Sequence, residues 1–172
     1  REGKINLKGQ EQEITLLLVE MRGQHAFAAR QDPTDVLAML TLFRNLVVEA
    51  ILAFDGTVIL SEQGQTMAVF NAPLSQVDHV WRAVRAAQNV VADVAAYQNT
   101  LPEDHGHRTI SFACVVDSGL AIVGYEEAGG QHSFTVLGEL VTVANQIVSA
   151  ADDGQILLGD QANAALADDV KS

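Results

Sequence analysis

Cationic side chains are scarce in this chain: ten Lys and Arg stand against 22 Asp and Glu, leaving a formal charge of −12. They are scattered rather than gathered into a stripe, which argues against nucleic acid as a partner. Arg82 and Arg85 form the one obvious local pair, inside an amphipathic helix. Cysteine is scarcer still. The single Cys114 allows no internal disulfide, and its apolar setting at 110–116 reads as an inert buried thiol. That usage fits a reducing compartment, so a cytoplasmic location is expected. No apolar run approaches bilayer-spanning length, and none opens the chain as a signal peptide would, so no direct membrane insertion is expected. Several catalytic signatures are missing too. The glycines at 124–130 lack the Gly-Lys-Ser/Thr ending of a phosphate loop, and there is no Gly-x-Ser-x-Gly elbow. The first strand leads into Glu20-Met21-Arg22-Gly23, without the glycine run of a dinucleotide site.

What is present is a chain of 172 residues, 48% apolar, which is enough to bury one real core. It opens on Arg1 without an initiator Met, so a fragment of a larger protein is expected. Residues 1–12 read as a polar lead-in and 13–172 as a single domain. The apolar run 14–19 predicts a central strand covered on one face by helices. Asp32-Pro33 opens a helix whose stripe is Val36, Leu40, Phe43, Val47 and Ile51, stopping before Asp55-Gly56. Strands at 57–60 and 66–70 form a hairpin. A second long helix is predicted over 76–97, with Val77, Val80, Val84, Ala87, Val91 and Val94 on one side and Trp81 beside them. Then follow a polar loop at 98–108, strands at 109–116 and 120–124 joined across Asp117-Ser118-Gly119, and a turn at Gly129-Gly130. A strand at 132–136, a helix at 139–150, a short strand at 155–158 and a small helix at 161–166 complete the order. Links this short cannot hold crossover helices, so the expected class is α+β: a mostly antiparallel sheet with both long helices on one face. His105-Gly106-His107 is the one candidate transition-metal cluster, and its neighbours Glu103 and Asp104 equally suit a solvated loop.

Several fragments, in order, resemble the catalytic domain of class III adenylate and guanylate cyclases over nearly the whole chain. They are Glu13 to Gly23, Asp55-Gly56-Thr57-Val58, the run from Met67 to Pro73, the run from Asp78 to Ala87, the run from Ser118 to Gly124, and Phe134-Thr135-Val136-Leu137-Gly138-Glu139. The resemblance implies a ferredoxin-like sandwich of the nucleotide cyclase type. It also implies cyclisation of a nucleoside triphosphate between two such domains, with two aspartates holding two divalent ions. A purine-selecting pair, an asparagine and an arginine complete that site. Carried across, the metal positions fall on Glu20 and Gly64, the purine-selecting positions on Leu60 and Ser133, and the asparagine and arginine positions on Thr142 and Gln146.

Those identities predict loss. Glu20 keeps a carboxylate that could hold Mg²⁺ or Mn²⁺ weakly, whereas Gly64 supplies no ligand, Leu60 no hydrogen bond and Gln146 no cation. Glu62 and Glu139 are the carboxylates that could substitute in space. The expected function is therefore an inactive cyclase-homology domain with a regulatory, scaffold or dimerisation role, needing no cofactor. The alternatives are a divergent cyclase, alone or complemented by a partner domain, and a purine-nucleotide sensor without turnover. The implied partners are a second copy, a related cyclase-homology domain and other domains of the parent protein. Met67, Phe70 and Trp81 are the apolar interface candidates.

Overall fold

The computed structural model describes residues 9–62 and 64–171. The first strand, β1 (Gln10–Arg22), runs through the middle of the molecule. It begins inside the expected lead-in, and its residues 14–19 are all buried. A short helix α1 (Gln24–Ala28) and the long helix α2 (Pro33–Leu52) follow. Pro33 takes the first turn of α2, where its missing N–H costs nothing. The hairpin β2 (Thr57–Glu62) and β3 (Gln65–Phe70) lays β3 antiparallel along β1. Helix α3 (His79–Asn99) and a 3₁₀ turn at Gly106–Thr109 lead to β4 (Ser111–Ala128). Last come β5 (Gln131–Leu137), α4 (Glu139–Ala150), β6 (Ile156–Leu158) and α5 (Asp160–Lys171). The sheet order is β2-β3-β1-β4-β5, antiparallel throughout, with β6 alone parallel to β4. This is the α+β architecture expected from the element order. No described helix is long and apolar enough to cross a membrane.

The two long helices, α2 and α3, share one face as expected, but the other face of β1 is covered as well. Leu17, Val19 and Met21 point into a core shared with α2, α3 and α5, while Ile14, Leu16 and Leu18 point into a second core under α4. A strand buried on both faces has no alternation to display, which is why β1 reads as a continuous apolar run. The same fact corrects two interface candidates. Met67 and Phe70 are 5% and 0% exposed, each packed into one of the two cores, so neither is available to a partner. The third, Trp81, is 36% exposed, and its indole N–H donates to Asp169 of α5 at 3.0 Å.

The expected turn at Asp117-Ser118-Gly119 is also corrected. β4 passes straight through it, with Ser118 opposite Thr15 and Asp117 opposite Leu16. The Thr15 and Ser118 hydroxyls bond at 2.7 Å, and a ladder 13 residues long outweighs a local turn preference. Val77 leaves the expected helical stripe and is fully exposed, because α3 starts only at His79. Asn71 and Gln76 exchange side-chain-to-backbone bonds at 2.8 and 2.6 Å, which holds the preceding segment as a loop. Cys114 is fully buried, and burial pushes its thiol up to about 12, so it is inert as expected.

Two histidines tie helices to the rest. His79 Nδ1 lies 2.6 Å from Thr15 Oγ1, and His107 Nδ1 lies 2.8 Å from the Tyr97 hydroxyl. Burial lowers both below the usual imidazole value, and His105 lowers His107 further. A histidine lowered in the folded state gives stability that is fully present above about pH 6.5 and is lost as pH falls through the folded value. The melting temperature should therefore fall between pH 7 and pH 5, and His107→Phe should flatten that fall. A profile unchanged by the substitution would remove His107 from this account.

Candidate functional site

The C-terminal end of β1 carries a cluster of polar groups. Glu20 stands opposite Gln65, the first residue of β3. The Gln65 amide donates to Glu20 Oε2 at 3.1 Å, and Arg22 Nε lies 3.5 Å from Glu20 Oε1. Arg22 reaches further, donating to the Val148 carbonyl at 2.7 Å and to the Ala151 carbonyl, with Asp153 at 3.3 Å. One guanidinium thus closes the C-terminal end of α4, where carbonyls lack partners, and also lies against Glu20. Glu20, Arg22, Gln24, His25, Glu62 and Gln65 line a groove of about 530 Å³ here.

Gly64 lies beside this groove in the hairpin turn. Its φ is +83°, and its carbonyl accepts from Met21 N at 2.7 Å. A Cβ there would stand 2.8 Å from Gln24 Nε2, so the position serves the turn with its backbone. Glu20 and Gly64 are brought together at this end. The other expected positions lie elsewhere. Leu60 stands opposite Met67 in β2, but its side chain lies outside the described residues. Ser133 is exposed on β5, opposite Glu126. Thr142 and Gln146 are exposed on α4, which packs through Leu140, Ala144 and Val148 onto the second core. Among the described residues, no hydrogen bond or ion pair joins either of them to Glu20.

The histidine cluster is structural in its contacts. His105 and His107 rings sit 4.7 Å apart, and His105 Nδ1 accepts from His107 N. Among the described residues no three His, Cys, Asp or Glu side chains converge as metal ligands. Glu139, one of the two spare carboxylates, lies at the start of α4 and borders a different groove, beside Asp117. Glu62 alone shares the groove of Glu20.

The model of the adenylate and guanylate cyclase catalytic domain matches residues 7–171. The chain belongs to that family. Among curated relatives of this cyclase domain is adenylate cyclase 1 of Rhizobium meliloti, 27% identical over 136 residues, or 79% of this chain and 20% of that protein. An uncharacterized protein of Mycobacterium tuberculosis is 26% identical over 158 residues, 91% of this chain and 28% of its own length. The domain thus spans less than a third of either relative. Among solved structures, the adenylyl cyclase CyaB of P. aeruginosa superposes with a TM-score of 0.84 at 18% identity, covering 94% of this chain and 84% of that one. The non-canonical dimeric guanylyl cyclase domain of the RhoGC fusion protein from Blastocladiella emersonii gives 0.77 at 16% identity, covering 89% and 83%. The fold is that of the cyclase domain.

The two side chains that sequence reasoning passed over are Gln65 and Arg22, which hold Glu20. Register alone would have found Gln65: a strand ending near Glu20 must face the start of the hairpin's second strand.

Proposed function

We propose that this cyclase-homology domain does not cyclise nucleoside triphosphates by itself and acts as a regulatory, scaffold or pairing unit in signalling. The observation that carries this reading is the missing second ligand: the hairpin brings Gly64, which has no side chain, beside Glu20, and among the described residues no three His, Cys, Asp or Glu side chains converge there. The Glu20 carboxylate accepts from the Gln65 amide and keeps lone pairs for at most one ion, against which the adjacent Arg22 charge competes. Gly64 adds no side-chain ligand. The residues present therefore do not fit a pair of Mg²⁺ or Mn²⁺ ions, and no catalytic step is derived through them. At the family's cationic position stands Gln146, an exposed neutral amide. Loss of one charged transition-state contact costs several kcal/mol, and each ~1.4 kcal/mol is tenfold in rate. The pairing role is supported by one solved relative described as a non-canonical dimeric guanylyl cyclase domain, although a second structure of that domain is described as monomeric.

A second reading, a divergent cyclase, is favoured by the curated relative named adenylate cyclase 1 and by Glu62 in the same groove as Glu20. A direct product assay on the purified domain, with ATP or GTP and Mg²⁺ or Mn²⁺, separates the two. Background product in all four conditions is expected. Reproducible product that disappears on Glu20→Ala would replace the proposal with the second reading. A low-micromolar dissociation constant for either nucleotide, without product, would make the domain a sensor.

A further inference from the structure

Among the described residues, Asp117 is the one charged side chain that is buried, at 7% exposed. Its Oδ1 accepts from the Ser118 N–H at 2.8 Å, and no other donor among the described residues reaches the carboxylate. A carboxylate offers about four lone-pair sites, so most of its bonding capacity is unused. It is also held tightly in place. β6 turns into α5 at Gly159, and a Cβ there would stand 2.0 to 2.2 Å from the Asp117 carboxyl atoms. Any side chain at 159 would displace the carboxylate, so the glycine leaves the space that Asp117 fills.

The carboxylate borders a groove of about 600 Å³ between β4, α4 and the start of α5. Glu139, the first residue of α4, and Asp160, the first of α5, line it too. Among the described residues no Lys, Arg or His does. Both acids sit at helix starts, which carry positive charge of their own, so magnitude decides the sign. Two helix N-termini supply about half a charge each against three carboxylates, which leaves about two negative charges facing the groove. Val143 and Ile147 of α4 and Leu158 of β6 give the same groove an aliphatic wall. The acids do not gather at one point: among the described residues no three His, Cys, Asp or Glu side chains come close enough to hold a metal ion. A divalent ion wants several oxygens around one centre. An alkyl stem with an ammonium at each end wants separated carboxylates and an apolar path.

We propose that this groove binds an aliphatic diamine, of the polyamine class, with one ammonium on Asp117. It shares no lining residue with the groove of Glu20, so the proposal is independent of the non-catalytic reading. The probe is putrescine, titrated into the ¹⁵N-labelled full chain at physiological salt. A dissociation constant of about 1 mM or tighter is expected, with amide shifts confined to 117–120, 139–147 and 158–161. Asp117→Asn keeps an acceptor for the Ser118 N–H and removes the charge, and it should weaken binding at least about tenfold. Glu139→Gln changes an exposed position, which leaves the fold intact, and should weaken binding as well. Mg²⁺ or ammonium chloride at the same concentration should leave these amides unmoved. No saturation by about 10 mM putrescine, shifts spread over the acidic surface, or affinity indifferent to both variants would overturn the proposal. So would the same shifts from Mg²⁺ or ammonium alone, since the aliphatic stem would then contribute nothing.

Discussion

Replacing Phe43 with alanine is expected to destabilise the domain by about 3–5 kcal/mol. Phe43 is fully buried on α2, with the rings of Tyr97, His107 and Phe112 centred 5.8, 5.7 and 5.8 Å away. It is the point where α2, α3, the 3₁₀ turn and β4 meet. Only nine aromatic residues (six Phe, two Tyr, one Trp) occur in the chain, so no spare ring can swing into the space. Domains of this kind hold about 5–15 kcal/mol in total, so the loss would consume a large part of it. Urea unfolding near pH 7.5 measures it directly. A cost below about 1 kcal/mol would mean that the cluster collapses around the gap, contrary to the packing described.

Gly23→Ala is expected to cost about 2–4 kcal/mol, from two sources that add. Its φ of +89° is left-handed, and a Cβ would stand 2.5 Å from the Thr109 carbonyl oxygen. That obstacle is backbone, so it cannot rotate away. Relief requires α1 to lift from the 3₁₀ turn, and α1 supplies Gln24 and His25 to the groove beside Glu20. The substitution should therefore lower the melting temperature and also shift the amides of Gln24 and Phe27. A variant as stable as the parent, with those amides unmoved, would show that the contact is softer than its geometry implies.

The contrast between what was legible in the sequence and what was not follows physical lines. α2 was readable because its apolar spacing, Pro33 start and Asp55-Gly56 stop agree. The β2–β3 hairpin and α4 were readable for the same kind of reason. β4 was not, since Asp117-Ser118-Gly119 has the composition of a turn and only the distant ladder with β1 overrules it. Val77 has the right residue type for a helix and the wrong tertiary setting, being upstream of a loop held by Asn71 and Gln76. At the site, Glu20 was legible from the pattern around it. Its state was not, because Gln65 and Arg22 act on it through strand register and through the end of a helix more than 120 residues later. Met67 and Phe70 were misplaced because a strand covered on both faces has no outward side.

The pairing of β1 with β4 also sets when this domain can begin to exist. Thr15 and Ser118 lie 103 positions apart, and the ladder is complete only at Val123. At synthesis rates of about 5–20 residues per second, the partner strand follows β1 by about five to twenty seconds. During that interval the nascent chain holds Ile14, Leu16, Leu17, Leu18 and Val19 with β3 on one flank and an open edge on the other. An open edge of such residues is a template for wrong partners. A ribosome stalled before Val123 would thus carry a half-built sheet, and this stretch is where a chaperone would have most to protect.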